Sequence, residues 1–365
     1  MAIEEKVRNH AFDFLCGVCI IRMMMRHAME TCQLHHAGFW PGLLHWTFFF
    51  MSFFFFKAGY FNKTVQGNTA DFLKKKSKQL LVPYIIWGVL GSIVYCGFAL
   101  FFFDANSPTV KHITLEHLWQ TSSFYGNGPC WFLYCFFMAY LAMHLICKCP
   151  PLRLGKLKLH LYWIVLGFPF VSYYLFLQDN PLILSLNNVF WGISLFFLGR
   201  AWHWVLDHIQ KSTAIAVSLL LLVGFIVMNA LTTEWYDMGG NLWKGNFYII
   251  VTKITLAICG LSGLLLSIKM PRIPVINYIG QHSMVFFVAH YPLLTLYKMI
   301  RSTFKHSLRG QWDDLVILSL LIFVFCFWIV PYVEKVPWLS GRFRSSVRPK
   351  PEEAADGAVQ QPQND

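Results

Sequence analysis

Long apolar segments alternate with short polar connectors over most of the chain. A helix needs about 20 mostly apolar residues to cross a bilayer, and segments of about that length recur from the N-terminus to residue 333. They cover 11–30, 39–61, 81–103, 128–147, 159–177, 188–206, 212–231, 246–267, 277–298 and 313–333. The pattern predicts an all-α integral membrane protein, built as a bundle of about ten transmembrane helices.

The composition supports a membrane protein. Of the 365 residues, 56% are hydrophobic and 13% are charged, whereas an ordinary soluble domain has about 25% charged residues. A soluble fold of this size has too little interior to bury so much apolar surface. A soluble enzyme, a disordered chain and a nucleic-acid-binding domain are therefore excluded. The cysteines lie mostly inside apolar segments, and their spacing indicates neither a disulfide framework nor a metal site.

The basic residues predict the orientation. Most Lys and Arg of the connectors fall on one side of the membrane if both termini are cytoplasmic, as the positive-inside rule requires. The net charge of +12 then reflects orientation and not a nucleic-acid partner. We expect a cytoplasmic N-terminus at 1–10, a transmembrane domain at 11–335 and a cytoplasmic tail at 336–365. The tail is rich in Pro, Glu, Ala and Gln and is expected to be largely disordered from about 346.

The first predicted span carries an unusual cluster of polar residues. Arg22, Arg26 and His27 lie within six positions, although charges inside a bilayer are costly and mark functional positions. At about 100° per residue, His27 shares one helix face with Cys16 and Asp13. A lone buried histidine is usually structural, but a polar stripe of this length favours a cavity. His27 is therefore the first candidate for chemistry, in the half of the membrane away from the cytoplasm.

A second polar pair lies in the ninth predicted span. Ser283 and His290 are seven residues apart and share a face, which is also typical of interhelical hydrogen bonding. Since Asp13 lies too far along the helix to orient the His27 imidazole, the orienting group is expected from another span. His290 is the first candidate and Ser283 the second.

Two lysine positions near the cytoplasmic side have open interpretations. Lys57 lies near the inner end of the second predicted span, where its ammonium either reaches the interface or serves a site. The segment from Asp71 to Pro83 contains four further lysines, and it either lies on the inner lipid surface or binds a phosphorylated cytoplasmic ligand. These lysines are Lys74, Lys75, Lys76 and Lys78.

Five motifs, in the same order along the chain, resemble those of the acyltransferase 3 family. They are Asp13-Phe14-Leu15 with Gly17 and His27; Phe53 through Phe61; Phe72 through Pro83-Tyr84; Trp131-Phe132-Leu133; and Gly280 to Ser283 with His290-Tyr291-Pro292. Members of this family are multi-span membrane proteins that acylate sugars and other acceptors. Cys16 stands where the family usually carries an arginine, and Ala58, next to Lys57, replaces the usual serine.

The resemblance implies transfer of an acyl group, usually acetyl, from a cytoplasmic acyl-CoA to a hydroxyl of a surface glycan or its lipid-linked precursor. Acetyl-CoA is then a co-substrate, no metal is needed, and the protein belongs in a bacterial inner membrane. Membrane lipids and a carbohydrate acceptor are the expected partners, and a homo-oligomer is compatible with the sequence. The implied catalytic residues are His27 as general base, His290 and Arg26. The implied donor-binding residues are Lys57, Lys74, Lys75, Lys76, Lys78 and Arg22, and the acceptor-binding residues are Trp131 and Ser283.

Two other classes of function remain open from the sequence. A transporter or flippase for a lipid-linked or small anionic substrate also needs many spans and buried charges. A membrane sensor that binds a small molecule without turnover is the third possibility.

Overall fold

The computed structural model of the chain is a bundle of helices with two short β-hairpins. It describes residues 9–34, 38–62, 68–102, 118–119, 121–154, 157–159, 161–178, 183–240, 242–303 and 312–343. Most of the predicted cytoplasmic N-terminus, and the tail predicted to be disordered, lie outside the described residues.

The described elements follow one another in a simple order. The helices are α1 (His10–Thr31), α2 (Trp40–Trp46), α3 (Phe50–Phe61), α4 (Thr69–Lys76), α5 (Val82–Phe102), α6 (Trp131–Lys148), α7 (Phe168–Leu177), α8 (Leu186–His208), α9 (Lys211–Leu231), α10 (Phe247–Ser267), α11 (Pro274–Gln281), α12 (Ser283–Thr303), α13 (Trp312–Val333) and α14 (Pro337–Ser340). A π-helical segment, Ser77–Leu81, joins α4 to α5, and 3-10 turns cover Gly128–Cys130, Leu161–Gly167 and Ile183–Ser185. The antiparallel hairpins are β1 (Leu152–Leu154) with β2 (Leu157–Leu159), and β3 (Trp235–Asp237) with β4 (Leu242–Lys244).

Seven helical segments within the described residues are long and apolar enough to cross a membrane. They are Thr69–Gly97, Gly128–Lys148, Leu186–His208, Lys211–Leu231, Phe247–Ser267, Ser283–Arg301 and Trp312–Val333. The prediction of an all-α integral membrane protein is confirmed. The count of about ten spans and the cytoplasmic placement of both termini stay predictions.

Three of the predicted spans are not among these seven, each for a physical reason. Helix α1 has 22 residues, but its charged side chains make it less apolar than a lipid-facing helix. The second predicted span is broken between Trp46 and Phe50. The fifth begins as a 3-10 turn, and its α-helix, α7, has only 10 residues.

Helix α1 packs against α11 at very short range. A Cβ atom on Gly280 would lie 1.7 Å from the carbonyl oxygen of Asp13, and one on Gly17 would lie 2.1 Å from that of Ile276. No side chain fits in so narrow a gap, so the backbones can touch only because both positions are glycine. This contact gives a packing reason for the two glycines in the first and last motifs.

An aromatic core fills the middle of the bundle. Phe55 of α3 meets Phe132 and Phe136 of α6 with ring centroids 5.2 Å apart in both pairs. Phe132 also contacts Phe287 of α12, with ring centroids 5.3 Å apart. Offset and edge-to-face contacts of this kind stabilise a core beyond the burial of area alone. These rings pack α3, α6 and α12 against one another between the two ends of the bundle.

Helix α6 connects these two ends. Trp131, at its first turn, borders a cavity described below, and at its last turn the Lys148 Nζ donates to the Thr69 Oγ1 at 3.0 Å. At about 1.5 Å per residue, the helix is about 27 Å long. We call the side near Thr69 and the α4 lysines the lysine end, and the side near Trp131 the cavity end. The sequence predicts the lysine end to be cytoplasmic.

Candidate functional site

A cavity of about 920 Å³ opens at the cavity end of the bundle. Its walls come from the last turns of α1, the segment leading into α6, the β3–β4 hairpin and α12, with further contributions from α3 and α5. Aromatic rings and hydroxyl groups both line the walls. A volume of this size fits a ligand as large as a mono- or disaccharide unit. The lining includes Met23, Arg26, His27, Glu30, Thr31, Ser123, Tyr125, Trp131, Asp237, Tyr291, Thr295 and Lys298.

His27 and Glu30 form a pair on the wall of this cavity. The Nδ1 of His27 lies 3.2 Å from the Oε2 of Glu30, because positions three apart on a helix are neighbours. The His27 side chain is 23% exposed, so one edge of the ring is within reach of a ligand. The imidazole thus has a hydrogen-bond partner on its own helix, which the sequence did not assign. An orienting role for His290 or Ser283 from another span stays a prediction.

Arg26 connects this pair to a second carboxylate across the cavity. Its Nε donates to the Glu30 Oε1 at 2.6 Å. Its Nη1 and Nη2 donate to the two oxygens of Asp237, at 3.2 and 2.6 Å. The bidentate contact is the strong geometry for an Arg–carboxylate pair. Asp237, Arg26, Glu30 and His27 therefore form one continuous polar chain.

His290 and Tyr291 of α12 support the His27 ring. The His290 ring stacks on that of His27 with centroids 5.5 Å apart, and the Tyr291 ring meets it edge-on at 5.4 Å. His290 is completely buried, and its Nδ1 donates to the carbonyl oxygen of Phe286 at 3.0 Å. The structure thus brings the two predicted catalytic histidines together, with His27 on the cavity side.

The β3–β4 hairpin is held in place by buried polar contacts. Lys253 of α10 is fully buried, and its Nζ donates to the carbonyl oxygens of Thr232 and Glu234, at 3.0 and 2.9 Å. The Tyr236 hydroxyl donates to the Asn188 Oδ1 at 3.0 Å. Burial raises the pKa of Tyr236 well above its usual range, which keeps the phenol protonated as a donor. These contacts hold Asp237 at a defined position.

The segment that leads into α6 is equally constrained. The Asn127 Nδ2 donates to the carbonyl oxygens of Trp87 and Val288, at 3.2 and 3.0 Å, so it ties the segment to α5 and α12. Gly126 has a φ of +77°, and a Cβ there would lie 2.1 Å from the carbonyl oxygen of Gly91. The tight turn presents Trp131 to the cavity.

Arg22 and Ser283 lie away from this cavity. The Arg22 Nε donates to the Thr47 Oγ1 at 3.1 Å, and its guanidinium lies 3.9 Å from the Phe50 ring centroid. These contacts give Arg22 a packing role between α1 and the break before α3. Ser283 begins α12, about 10 Å from His290 along the helix axis. Neither residue lines the cavity.

Lys57 lies between the two ends. Its Nζ donates to the Sγ of Cys16 at 3.0 Å, so α3 brings a cation to the polar face of α1. At about 1.5 Å per residue, Cys16 is about 17 Å from His27 along α1. The pair is therefore on the lysine-end side of the histidine.

The four lysines after Asp71 are not equivalent. Lys74 and Lys75 are exposed. The Lys76 Nζ lies 3.6 Å from the centroid of the Tyr140 ring, and the Lys78 Nζ lies 5.5 Å from that of Phe343. Lys74 and Lys75 thus present exposed charge at the lysine end, while Lys76 and Lys78 pack on aromatic rings.

Three contributors to the site were not assigned from the sequence. Glu30 carried a signal, since an acid three residues after a candidate histidine lies on the same helix face. Tyr291 lies inside a quoted motif, but nothing in the sequence showed that its ring faces His27. Asp237 lies in a polar connector more than 200 residues from Arg26, and no local pattern indicates that contact. Among the described residues, no group of three His, Cys, Asp or Glu side chains is arranged to hold a metal ion.

The fold and the site define a polytopic membrane protein with an imidazole–carboxylate pair on the wall of a polar cavity. The chain matches the acyltransferase 3 family, described as an acyltransferase domain, over residues 9–331, and it belongs to that family. No curated protein and no solved structure showed significant similarity to it. Family membership confirms the resemblance seen in the five motifs and supports acyltransferase activity in a membrane.

Proposed function

We propose that the protein transfers an acyl group, acetyl in the first instance, from cytoplasmic acyl-CoA to a hydroxyl of a surface glycan or its lipid-linked precursor, in a bacterial inner membrane. The observation that carries the proposal is the His27–Glu30 pair on the wall of a cavity of about 920 Å³. Family membership supports the reaction class. The cavity supplies a base and room for an acceptor at the same place.

His27 is the general base in this proposal. A carboxylate can only accept a hydrogen bond, so the contact with Glu30 assigns the ring proton to Nδ1 and leaves the lone pair on Nε2. Nε2 takes the proton of the acceptor hydroxyl while the hydroxyl oxygen attacks the thioester carbonyl carbon. A C–O bond forms, the C–S bond breaks, and the imidazolium returns the proton to the departing thiolate.

Arg26 is the candidate for stabilising the negative charge on the carbonyl oxygen. Three of its five N–H groups bond Glu30 and Asp237. We assign one of the other two, which lie on different edges of the guanidinium, to the oxyanion, because a fixed donor in a site with little water stabilises developing charge strongly. The two carboxylates hold the guanidinium in place before the reaction begins.

The acceptor would bind between aromatic and hydroxyl groups on the cavity walls. Trp131 and Tyr291 offer flat rings, and Thr31 and Ser123 offer hydroxyl groups in the same cavity. An apolar surface with a few placed polar groups is the usual make-up of a small-molecule site. A sugar ring, with apolar faces and a polar edge, suits this combination.

The donor would approach from the lysine end. Lys74 and Lys75 are exposed there and can pair with the phosphates of coenzyme A. Lys57 lies farther in, at Cys16, on the side of α1 that leads to His27. The proposal needs the pantetheine arm to pass the aromatic core, so the side chains around Lys57 must part when the donor binds.

Purified protein in liposomes tests the proposal. We supply acetyl-CoA labelled in the acetyl group on the lysine-end side and a methyl glycoside on the other side, and we measure labelled glycoside. Wild-type protein and His208→Gln, which changes an exposed histidine at the end of α8, are expected to form product. His27→Ala is expected to form none. Full transfer by His27→Ala, or movement of the glycoside across the membrane without acylation, would refute the proposal.

A further inference from the structure

Glu30 is shared between two partners, one oxygen to each. Its Oε1 accepts from the Arg26 Nε at 2.6 Å, and its Oε2 lies 3.2 Å from the His27 Nδ1. Arginine and carboxylate groups prefer to pair through two parallel hydrogen bonds. An unrestrained Arg26 would therefore take both oxygens of Glu30 and leave the imidazole without its acceptor.

Asp237 prevents that outcome. Its two oxygens accept from the Nη1 and Nη2 of Arg26, at 3.2 and 2.6 Å, so the outer edge of the guanidinium is anchored. The guanidinium therefore cannot slide along Glu30 to bring the second N–H of Nη2, which lies on the same edge as the Nε–H, onto the second carboxylate oxygen. Asp237 is itself fixed, because its Oδ1 also accepts from the Gly239 N–H at 3.0 Å.

We propose that Asp237 is a positioning residue for His27: by holding the fork of Arg26, it keeps one oxygen of Glu30 for the imidazole. This rests on the proposed acyl transfer, in which His27 acts as base. Asp237 acts through Arg26 and Glu30 and does not touch the proton that moves. The hairpin on the far wall of the cavity thereby becomes part of the acid–base unit on α1.

The charges of this unit give the inference a definite sign. Arg26 contributes one positive charge, and Glu30 and Asp237 contribute two negative charges, so the cluster beside His27 carries one net negative charge. Removing the Asp237 charge makes the cluster neutral and disfavours the imidazolium. Removing the Arg26 charge makes the cluster more negative and favours the imidazolium.

Other groups face His27 and stay constant in this comparison. They are His290 and Tyr291 of α12, whose rings contact it, and Lys298, Tyr95 and Tyr125, which line the same cavity.

The test follows the reactivity of His27 without any substrate. Diethyl pyrocarbonate modifies neutral imidazole, so the rate of His27 modification as a function of pH, followed by mass spectrometry, gives the pH of half-maximal reactivity. Asp237→Asn is expected to move that midpoint to lower pH and Arg26→Met to higher pH. Lys244→Gln, which removes a charge from the same hairpin at an exposed position, is expected to leave the midpoint near that of the wild type.

Kinetics complete the test. Asp237→Asn is expected to lower kcat for acetylation of the methyl glycoside by about ten- to a hundred-fold, since about 1 Å of misplacement costs up to about a hundred-fold, with the KM for the glycoside little changed. Asp237→Glu is expected to recover part of the loss.

Shifts of the midpoint in the same direction for Asp237→Asn and Arg26→Met, or shifts no larger than that of Lys244→Gln, would overturn the inference. Absence of acetylation by the wild-type protein would count against the proposed function alone, because the modification experiment needs no acyl transfer.

Discussion

The imidazole rings of His27 and His290 stack with their centroids 5.5 Å apart and their planes inclined by 23°. His27 comes from α1 and faces the cavity, whereas His290 comes from α12 and is completely buried. The Nδ1 of His290 donates to the Phe286 carbonyl oxygen, so this ring is held by its own helix. The stack therefore sets the plane of the His27 ring, and Glu30 sets its rotation within that plane.

Replacing His290 separates ring packing from proton chemistry. His290→Phe keeps a flat ring beneath His27 and removes both nitrogens, while His290→Ala leaves a void beside it. If His290 mainly supports the ring, His290→Phe should keep most of the acetylation rate, and His290→Ala should lower kcat by about a hundred-fold through misplacement of the base. Equal, near-complete losses in both variants would instead show that a nitrogen of His290 takes part in the reaction.

Removing the Glu30 charge should impair the base more than any change at His290. In Glu30→Gln the amide can present its NH₂ group to Nδ1, which favours the wrong tautomer of His27. We expect kcat to fall by between about a hundred-fold and about ten-thousand-fold. The acid limb of the pH–rate profile should also move to lower pH, because a negative charge that favours the imidazolium is lost.

A matched variant guards against a general charge effect. Asp313→Asn removes an exposed carboxylate from the first turn of α13, outside the cavity lining. Its rate and its pH–rate profile should resemble those of the wild-type protein. A Glu30→Gln protein with the same profile as Asp313→Asn would remove Glu30 from the mechanism.

The glycine contact between α1 and α11 should be essential for stability. In Gly280→Ala the new methyl group would lie 1.7 Å from the Asp13 carbonyl oxygen, so the two helices must separate. Overpacking of this kind costs about 1–3 kcal/mol, and backbone contact leaves little room for relaxation. Gly97→Ala, where nothing lies within 4 Å of the added atom, is the control. Thermal unfolding in detergent should show a lower Tm for Gly280→Ala only.

Much of the architecture follows from the apolar pattern alone. Segments such as 212–231 and 246–267 coincide with α9 and α10 to within one residue at each end, because length and hydropathy suffice to define a lipid-facing helix. The break between Trp46 and Phe50 was not predicted. Both sides of it are apolar, with Trp and Leu before the break and Phe after it, and hydropathy does not distinguish a continuous helix from two short ones.

The site was predictable only where its residues share a helix or a motif. His27 was identified from the polar stripe on α1, and its pairing with His290 rests on a motif in another helix. The contact between Arg26 and Asp237 depends on how the β3–β4 hairpin folds over the cavity. That arrangement is tertiary, held by groups such as Lys253 and Tyr236, and no single segment of sequence contains it.

The lysines after Asp71 should separate into two functional pairs. Lys74→Gln with Lys75→Gln removes exposed charge and should raise the KM for acetyl-CoA by about two- to five-fold per charge, the scale of exposed ion pairs. The effect should diminish as salt is added. Lys76→Gln removes the contact with the Tyr140 ring, worth about 0.5–2 kcal/mol. That variant should have a lower Tm, and its KM for acetyl-CoA should change less than that of the Lys74→Gln, Lys75→Gln variant.

Lys57 is the residue that tests the proposed path of the donor. Its ammonium is brought to Cys16, the position where the family usually carries an arginine, so a cation is present on this face although α1 does not supply it. A charge-assisted hydrogen bond contributes about 1.5–3 kcal/mol. Lys57→Met should therefore raise the KM for acetyl-CoA by at least about tenfold and leave the KM for the glycoside unchanged. Lys57→Arg should recover much of the affinity, because it keeps the charge. A donor KM unaffected in Lys57→Met would place the coenzyme A path elsewhere in the bundle and leave the ammonium a structural role against the thiol.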